Sequence, residues 1–193
     1  DQMRFDTVGP HPDAPSHRSF TPNIDSMLHA EGVKFTNAYS STPTCTPARA
    51  ALLTGQSPWN HGMLGYGVVA DRYPCELPRV IAEAGYKTVS IGKDHFGWNK
   101  TANHGIRHGY QQTQLYDGIV SEGDDYHQWF ARQMPGVAPE SGWPTLDMNS
   151  WRGAPYVYNE SYHPTAWVGT RAVEAIRAHA RSGASRPPLF LKV

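Results

Sequence analysis

An α/β fold built on a mostly parallel sheet is what this 193-residue sequence predicts. Three observations carry that expectation. Helix-like and strand-like segments alternate along the chain, glycines at 32, 55 and 85 close three of the helices, and two short apolar runs, 86–92 and 188–193, read as buried strands.

The first twenty residues are polar, rich in Pro and His, and read as a loop. Thr21-Pro22-Asn23-Ile24-Asp25 then opens a helix. Thr21 can cap it, Pro22 suits the first turn and Asp25 favours its positive end. Ile24, Met27 and Leu28 supply an apolar stripe, Gly32 ends the helix, and residues 33–38 alternate like a strand. Pro47 to Thr54 reads as a short helix closed by Gly55, with Thr46 as N-cap. Leu77 to Ala84 is another helix, stopped by Gly85 and followed by the buried strand Tyr86 to Gly92. Residues 97–164 hold many aromatics, Gly and Pro, with one short helix near Asp124–Arg132. Thr165 to Ala180 is an amphipathic helix for which Thr165 is the natural N-cap, and a last strand covers 188–193. A strand at the very end reads as a central one, so the chain is expected to be incomplete.

Composition narrows the classes. Seventeen Lys and Arg balance seventeen Asp and Glu, with no basic stripe, so nothing suggests a nucleic-acid partner. One or two pocket cations for an anionic substrate would not show in that sum. The two cysteines, Cys45 and Cys75, exclude a disulfide scaffold and leave their own pairing open. No apolar run reaches the length of a membrane span. Residues 1–4 have no signal-peptide character, so localisation is not legible there.

The chemistry concentrates at Cys45. A helix starting just after it would present free N–H groups and a positive dipole end to that side chain. Arg49, one turn on, can direct its guanidinium back toward it. Alone, such a pair reads as a small buried Cys and a surface cation. The wider spacing is more specific: Cys45, Pro47, Arg49, Leu53, Thr54 and Gly55 form Cys-x-Pro-x-Arg-x-x-x-Leu-Thr-Gly.

That pattern resembles the signature of the formylglycine-dependent sulfatases, a family of the alkaline-phosphatase superfamily. Residues 21–40 resemble the helix and strand that lead to the family's nucleophile. Ala84-Gly85-Tyr86-Lys87-Thr88 and Ile91-Gly92-Lys93-Asp94-His95 resemble its second signature. The resemblance implies an α/β/α sandwich around a mostly parallel sheet, incomplete in this chain. It implies that Cys45 is oxidised to formylglycine by a formylglycine-generating enzyme, with Arg49, Lys93 and His95 as catalytic partners. Lys93 would meet the formylglycine and sulfate oxygens, and His95 the formylglycine hydroxyl. Asp1 and Gln2, with position 45, would hold a divalent metal, Ca2+ first and Mn2+ or Mg2+ as alternatives; a carboxylate and an amide carbonyl are hard oxygen donors. Gln2 stands where many sulfatases carry a second acid.

The implied substrate is a sulfate ester on a small molecule or glycan, and the implied location periplasmic, secreted or lysosomal. His163-Pro164-Thr165 resembles a stretch of carbohydrate sulfatases, so His163 is a candidate substrate contact, with a loop or capping role as its alternative. Trp143, Trp151, Tyr156 and Tyr158 line a sugar subsite or pack the aromatic middle. Histidine spacing gives no zinc motif, and the absence of G-x-S-x-G argues against a serine hydrolase. Two competing functions remain: a phosphonate monoester hydrolase or phosphodiesterase of the same superfamily, and a non-catalytic glycan-binding relative.

Overall fold

The computed structural model describes residues 3, 7–9, 20–67, 69–96, 107–118, 123–146 and 151–193, without the side chains of Leu28 and His29. The chain divides into two compact units, Asp1–Ser40 and Ser41–Val193.

In the first unit, α1 runs Pro22–Glu31. Thr21 serves its start differently from a simple cap: the hydroxyl donates to Asp25 Oδ1 at 3.0 Å, and the Asp25 N–H donates to the Thr21 carbonyl at 2.9 Å. The Lys34 ammonium donates to the Val8 carbonyl. The expected strand at 33–38 is not formed, and Val33 and Phe35 are exposed. Alternation marks a surface that a sheet could use, but extended backbone becomes a strand only beside a partner. None of the described residues supplies one there.

The second unit contains α2 (Cys45–Thr54), α3 (Pro58–His61), α4 (Leu77–Glu83), β1 (Lys87–Gly92), β2 (Gln112–Leu115), α5 (Asp125–Gln133), α6 (Pro164–Arg181) and β3 (Leu189–Lys192). The strands form one parallel sheet in the order β2-β1-β3. β2 went unread in the sequence because Gln112-Thr113-Gln114 gives no apolar signal; its place comes from pairing with β1, Val89 opposite Gln112 and Gly92 opposite Leu115.

Period-two alternation divides β1 and β3 between two layers. Val89, Ile91, Leu189 and Leu191 pack against Val168, Ala172 and Ala175 of α6. On the opposite face, Phe190 and Lys192 join Leu53 of α2 and Pro78 of α4 around a cavity of about 190 Å³. Helices therefore cover both faces of a parallel sheet, the α/β/α arrangement expected. Such a sheet presents its loops at the carboxyl ends of the strands, where α/β folds place their sites.

An aromatic core holds the loop-rich middle to α6. Tyr126, Phe130 and Trp167 are buried together, and the Tyr126 hydroxyl donates to the Tyr162 carbonyl at 2.7 Å. Asp124 caps α5 by accepting the His127 N–H at 2.8 Å.

Candidate active site

Helix α2 begins two residues earlier than its sequence suggests. Thr44 is extended, at φ −105° and ψ 145°, and Cys45 is the first helical residue. Thr46, expected as the cap, is buried, and its hydroxyl accepts the Gly67 N–H at 3.2 Å. Pro47 therefore falls at the third helical position, where its missing N–H still costs nothing, because the first three N–H groups have no partner within the helix. Gly55 closes α2 at φ 68°, as expected. Cys45 is half-buried with a free thiol, and Cys75 is free and exposed. The side chain at position 45 thus stands on the positive end of a helix.

Arg49 lies one turn further along α2. Its Nη1 donates to the main-chain oxygen of Lys93 at 2.6 Å, joining the helix to the turn after β1. The Lys192 ammonium, at the end of β3, donates to the same oxygen and to Asp94 Oδ1, the latter at 2.8 Å. The Ser90 hydroxyl also donates to Asp94 Oδ1, at 2.6 Å. Ser90 and Lys192 are paired in the sheet and share its α2–α4 face, which explains why both reach one carboxylate.

Residues 93–95 do not continue the strand as extended chain. Gly92 sits at φ 93° and His95 at φ 54°, so the backbone turns sharply. Asp117 Oδ1 accepts the N–H of Asp94 at 2.8 Å and of His95 at 3.0 Å. The Tyr66 hydroxyl lies 3.4 Å from His95 Nε2, and the two rings meet edge to face at 5.8 Å. Burial, helped by the positive charges of Lys93 and Arg49, holds His95 down to about 4. At neutral pH it is an uncharged imidazole beside two cations, able to exchange a hydrogen bond without adding to their charge.

The structure thus brings Arg49, Lys93 and His95 together through the turn after β1, with Cys45 at the head of the helix that carries Arg49. Asp1 and Gln2 lie outside the described residues. Among the described residues no group of three or more His, Cys, Asp or Glu side chains is arranged to hold a metal ion. Asp1 and Gln2 fit a hard cation by donor chemistry alone.

His163 is engaged elsewhere. It replaces Thr165 as the cap of α6, its Nδ1 accepting the Thr165 N–H at 3.1 Å. Trp143 and Tyr156 hold its ring edge-on at 5.3 and 5.1 Å. Tyr158 packs on Phe130, while Trp151 is exposed beside the Arg152 guanidinium.

Three residues of this neighbourhood went unread in the sequence. Lys192 had a signal: a lone cation in the run Leu189-Phe190-Leu191-Lys192-Val193. Asp117 and Tyr66 had none, because their places depend on the pairing of β2 and on the loop after α3.

The sulfatase family model matches residues 1–149. An arylsulfatase of Clostridium perfringens (strain 13 / Type A) is 33% identical over 208 residues, covering 100% of this chain and 40% of that protein. The N-acetylgalactosamine-6-sulfatase of Homo sapiens is 38% identical over 105 residues, covering 48% of this chain and 20% of that protein. Among solved structures, the phosphonate monoester hydrolase of Agrobacterium radiobacter matches with a TM-score of 0.65 at 22% identity, over 100% of this chain and 39% of that one, a likeness of fold. The chain spans at most 40% of the length of these relatives.

Proposed function

The chain belongs to the sulfatase family, and from that premise we propose that it is the N-terminal part of a sulfatase catalytic domain that hydrolyses a sulfate ester. The observation that carries this reading is the placement of Cys45 at the head of α2, with Arg49 of the same helix bonded to the Lys93 carbonyl one residue from Asp94-His95.

Formylglycine made from Cys45 would supply, as the hydrated aldehyde, one hydroxyl oxygen that attacks sulfur and displaces the alcohol, and a second hydroxyl whose loss of a proton re-forms the carbonyl as the C–O bond to sulfate breaks. An ordinary Ser or Cys ester has no such exit, which is the physical reason for the modification. The α2 N-terminus and Arg49 favour negative charge at position 45. The Lys93 ammonium offsets charge on the sulfuryl oxygens, a stabilisation worth roughly several kcal/mol. Neutral His95 accepts or donates one hydrogen bond at the hydrate and, with its depressed pKa, stays neutral through the physiological range. A divalent cation, Ca2+ first, adds Lewis-acid charge when bound, and Asp1 and Gln2 are the residues of this chain proposed to hold it with position 45.

A carbohydrate sulfate is the proposed substrate class, supported by the likeness to an N-acetylgalactosamine-6-sulfatase. The test is peptide mass spectrometry on the tryptic fragment Phe35–Arg49 of the full-length protein, made alongside a formylglycine-generating enzyme. An aldehyde mass at position 45, together with sulfate release from sulfated sugars in preference to phosphonate or phosphodiester turnover, is expected. A thiol that persists while the maturation enzyme modifies a control overturns the mechanism and favours a non-catalytic glycan-binding protein.

A further inference from the structure

We propose that Asp117 is the positioning residue for Lys93 and His95, holding the turn that carries them through two consecutive main-chain N–H groups. The inference rests on the sulfatase reading of those two side chains.

The argument starts with the peptide unit between Lys93 and Asp94. Its oxygen accepts from Arg49 and Lys192, and its N–H donates to Asp117 Oδ1 at 2.8 Å. Two cations at the oxygen and a carboxylate at the hydrogen align with the peptide dipole and oppose its rotation. The next N–H, of His95, donates to the same Asp117 oxygen at 3.0 Å. One carboxylate oxygen thus holds two consecutive N–H groups, and with them the backbone that carries Lys93 and His95.

The turn needs such a clamp. A residue other than glycine at φ 54° costs of order 1–3 kcal/mol and persists only where its surroundings enforce it. Sheet register explains why Asp117 is available. Gly92 and Leu115 are paired at the ends of β1 and β2, and Asp94 and Asp117 each lie two residues beyond. Asp117 is itself held, its N–H donating to Asp124 Oδ2 at 2.9 Å, and Asp124 caps α5. The carboxylate is buried, with 4% of its surface exposed. It holds the turn from a buried position.

The test compares Asp117→Asn and Asp117→Ala with the parent in the full-length, matured protein. It reads kcat and KM for a sulfate ester, aldehyde content at position 45, and hydrogen exchange at the Asp94 and His95 amides. Asn keeps an acceptor without the charge, so kcat is expected to fall in the order parent, D117N, D117A. The full loss is about 10- to 100-fold, with KM changed far less. Exchange at the two amides should quicken in the same order while aldehyde content holds. Unchanged kcat and exchange in D117A overturn the proposal, as does a kcat loss with both amides still protected. If D117A does not accumulate folded, D117N decides on the same two readouts. A parent protein that turns over no sulfate ester fails the sulfatase reading instead, and amide exchange still reports whether Asp117 holds the turn.

Discussion

Arg49 Nη1 lies 2.6 Å from the main-chain oxygen of Lys93, so the helix that begins at Cys45 is pinned to the turn that follows β1. The guanidinium both places positive charge one helical turn from position 45 and fixes the spacing between two parts of the proposed site. Replacing Arg49 with Ala removes both effects. Stability should fall by about 1.5–3 kcal/mol, the range for a charge-assisted hydrogen bond, and turnover by roughly 100- to 1,000-fold, the cost of one lost oxyanion donor. Arg49→Lys should recover part of the stability and little of the turnover, because an ammonium lacks the planar fork. Urea unfolding and steady-state kinetics on the full-length protein check both.

Lys192 shares that acceptor, which makes the pair testable by a double-mutant cycle. Lys192→Met keeps an apolar stem and deletes the ammonium that also meets Asp94 Oδ1 at 2.8 Å. Each single variant leaves one cation on the Lys93 oxygen, whereas the double variant Arg49→Ala/Lys192→Met leaves neither. The losses should therefore exceed additivity, with a coupling of about 0.5–3 kcal/mol in urea unfolding. Strict additivity would show that the two cations act independently.

These contacts also show what was legible in the sequence. α4, β1, α5, α6 and β3 could be read because apolar spacing, glycine stops and caps are local properties. Cys45, Arg49, Lys93 and His95 could be read because their spacing within two segments resembles a family signature. The start of α2 was misplaced because Thr46 reads as a cap in the sequence, whereas the helix takes Thr44 as its N-cap residue without a side-chain bond and the Thr46 hydroxyl accepts the Gly67 N–H. Thr165 was misread as the cap of α6 because a His is a less familiar cap than a Thr, yet His163 Nδ1 accepts the Thr165 N–H. Asp117 shows the limit most clearly. It lies in no motif, and its meeting with Asp94 and His95 exists only once two strands with no shared sequence signal have paired.

Glu76 is buried without exposed surface and takes three partners: the Tyr73 N–H at 3.0 Å, Arg79 at 2.6 Å and His108 Nδ1 at 2.7 Å. Burial alone would raise its pKa, yet the bonds from His108, the Tyr73 N–H and Arg79 hold it below the ordinary value. Deleting it strands buried donors, so Glu76→Ala should cost about 3–5 kcal/mol. A folded pKa below the unfolded one places the stabilisation above the unfolded value of about 4.3. It is lost as pH falls through the folded pKa. The stability difference between the parent and Glu76→Gln should therefore hold at neutral pH and shrink in acid, as measured by urea unfolding across that range.

His127 should show the opposite sign. Its Nδ1 lies 2.7 Å from Asp124 Oδ1 and its Nε2 lies 2.7 Å from Glu140 Oε1, so both ring nitrogens face carboxylates. Burial disfavours the imidazolium, but the two carboxylates outweigh it and raise the pKa above the ordinary value. A folded pKa above the unfolded one gives a stabilisation fully present below about 6.5 and lost as pH rises through the folded pKa. Glutamine keeps hydrogen-bonding capacity without titrating in this range. The parent should thus exceed His127→Gln by about 1–3 kcal/mol in mild acid, and the gap should close on the alkaline side. A gap that widens with rising pH would show that His127 is neutral in the fold and that its two carboxylates are held by other donors.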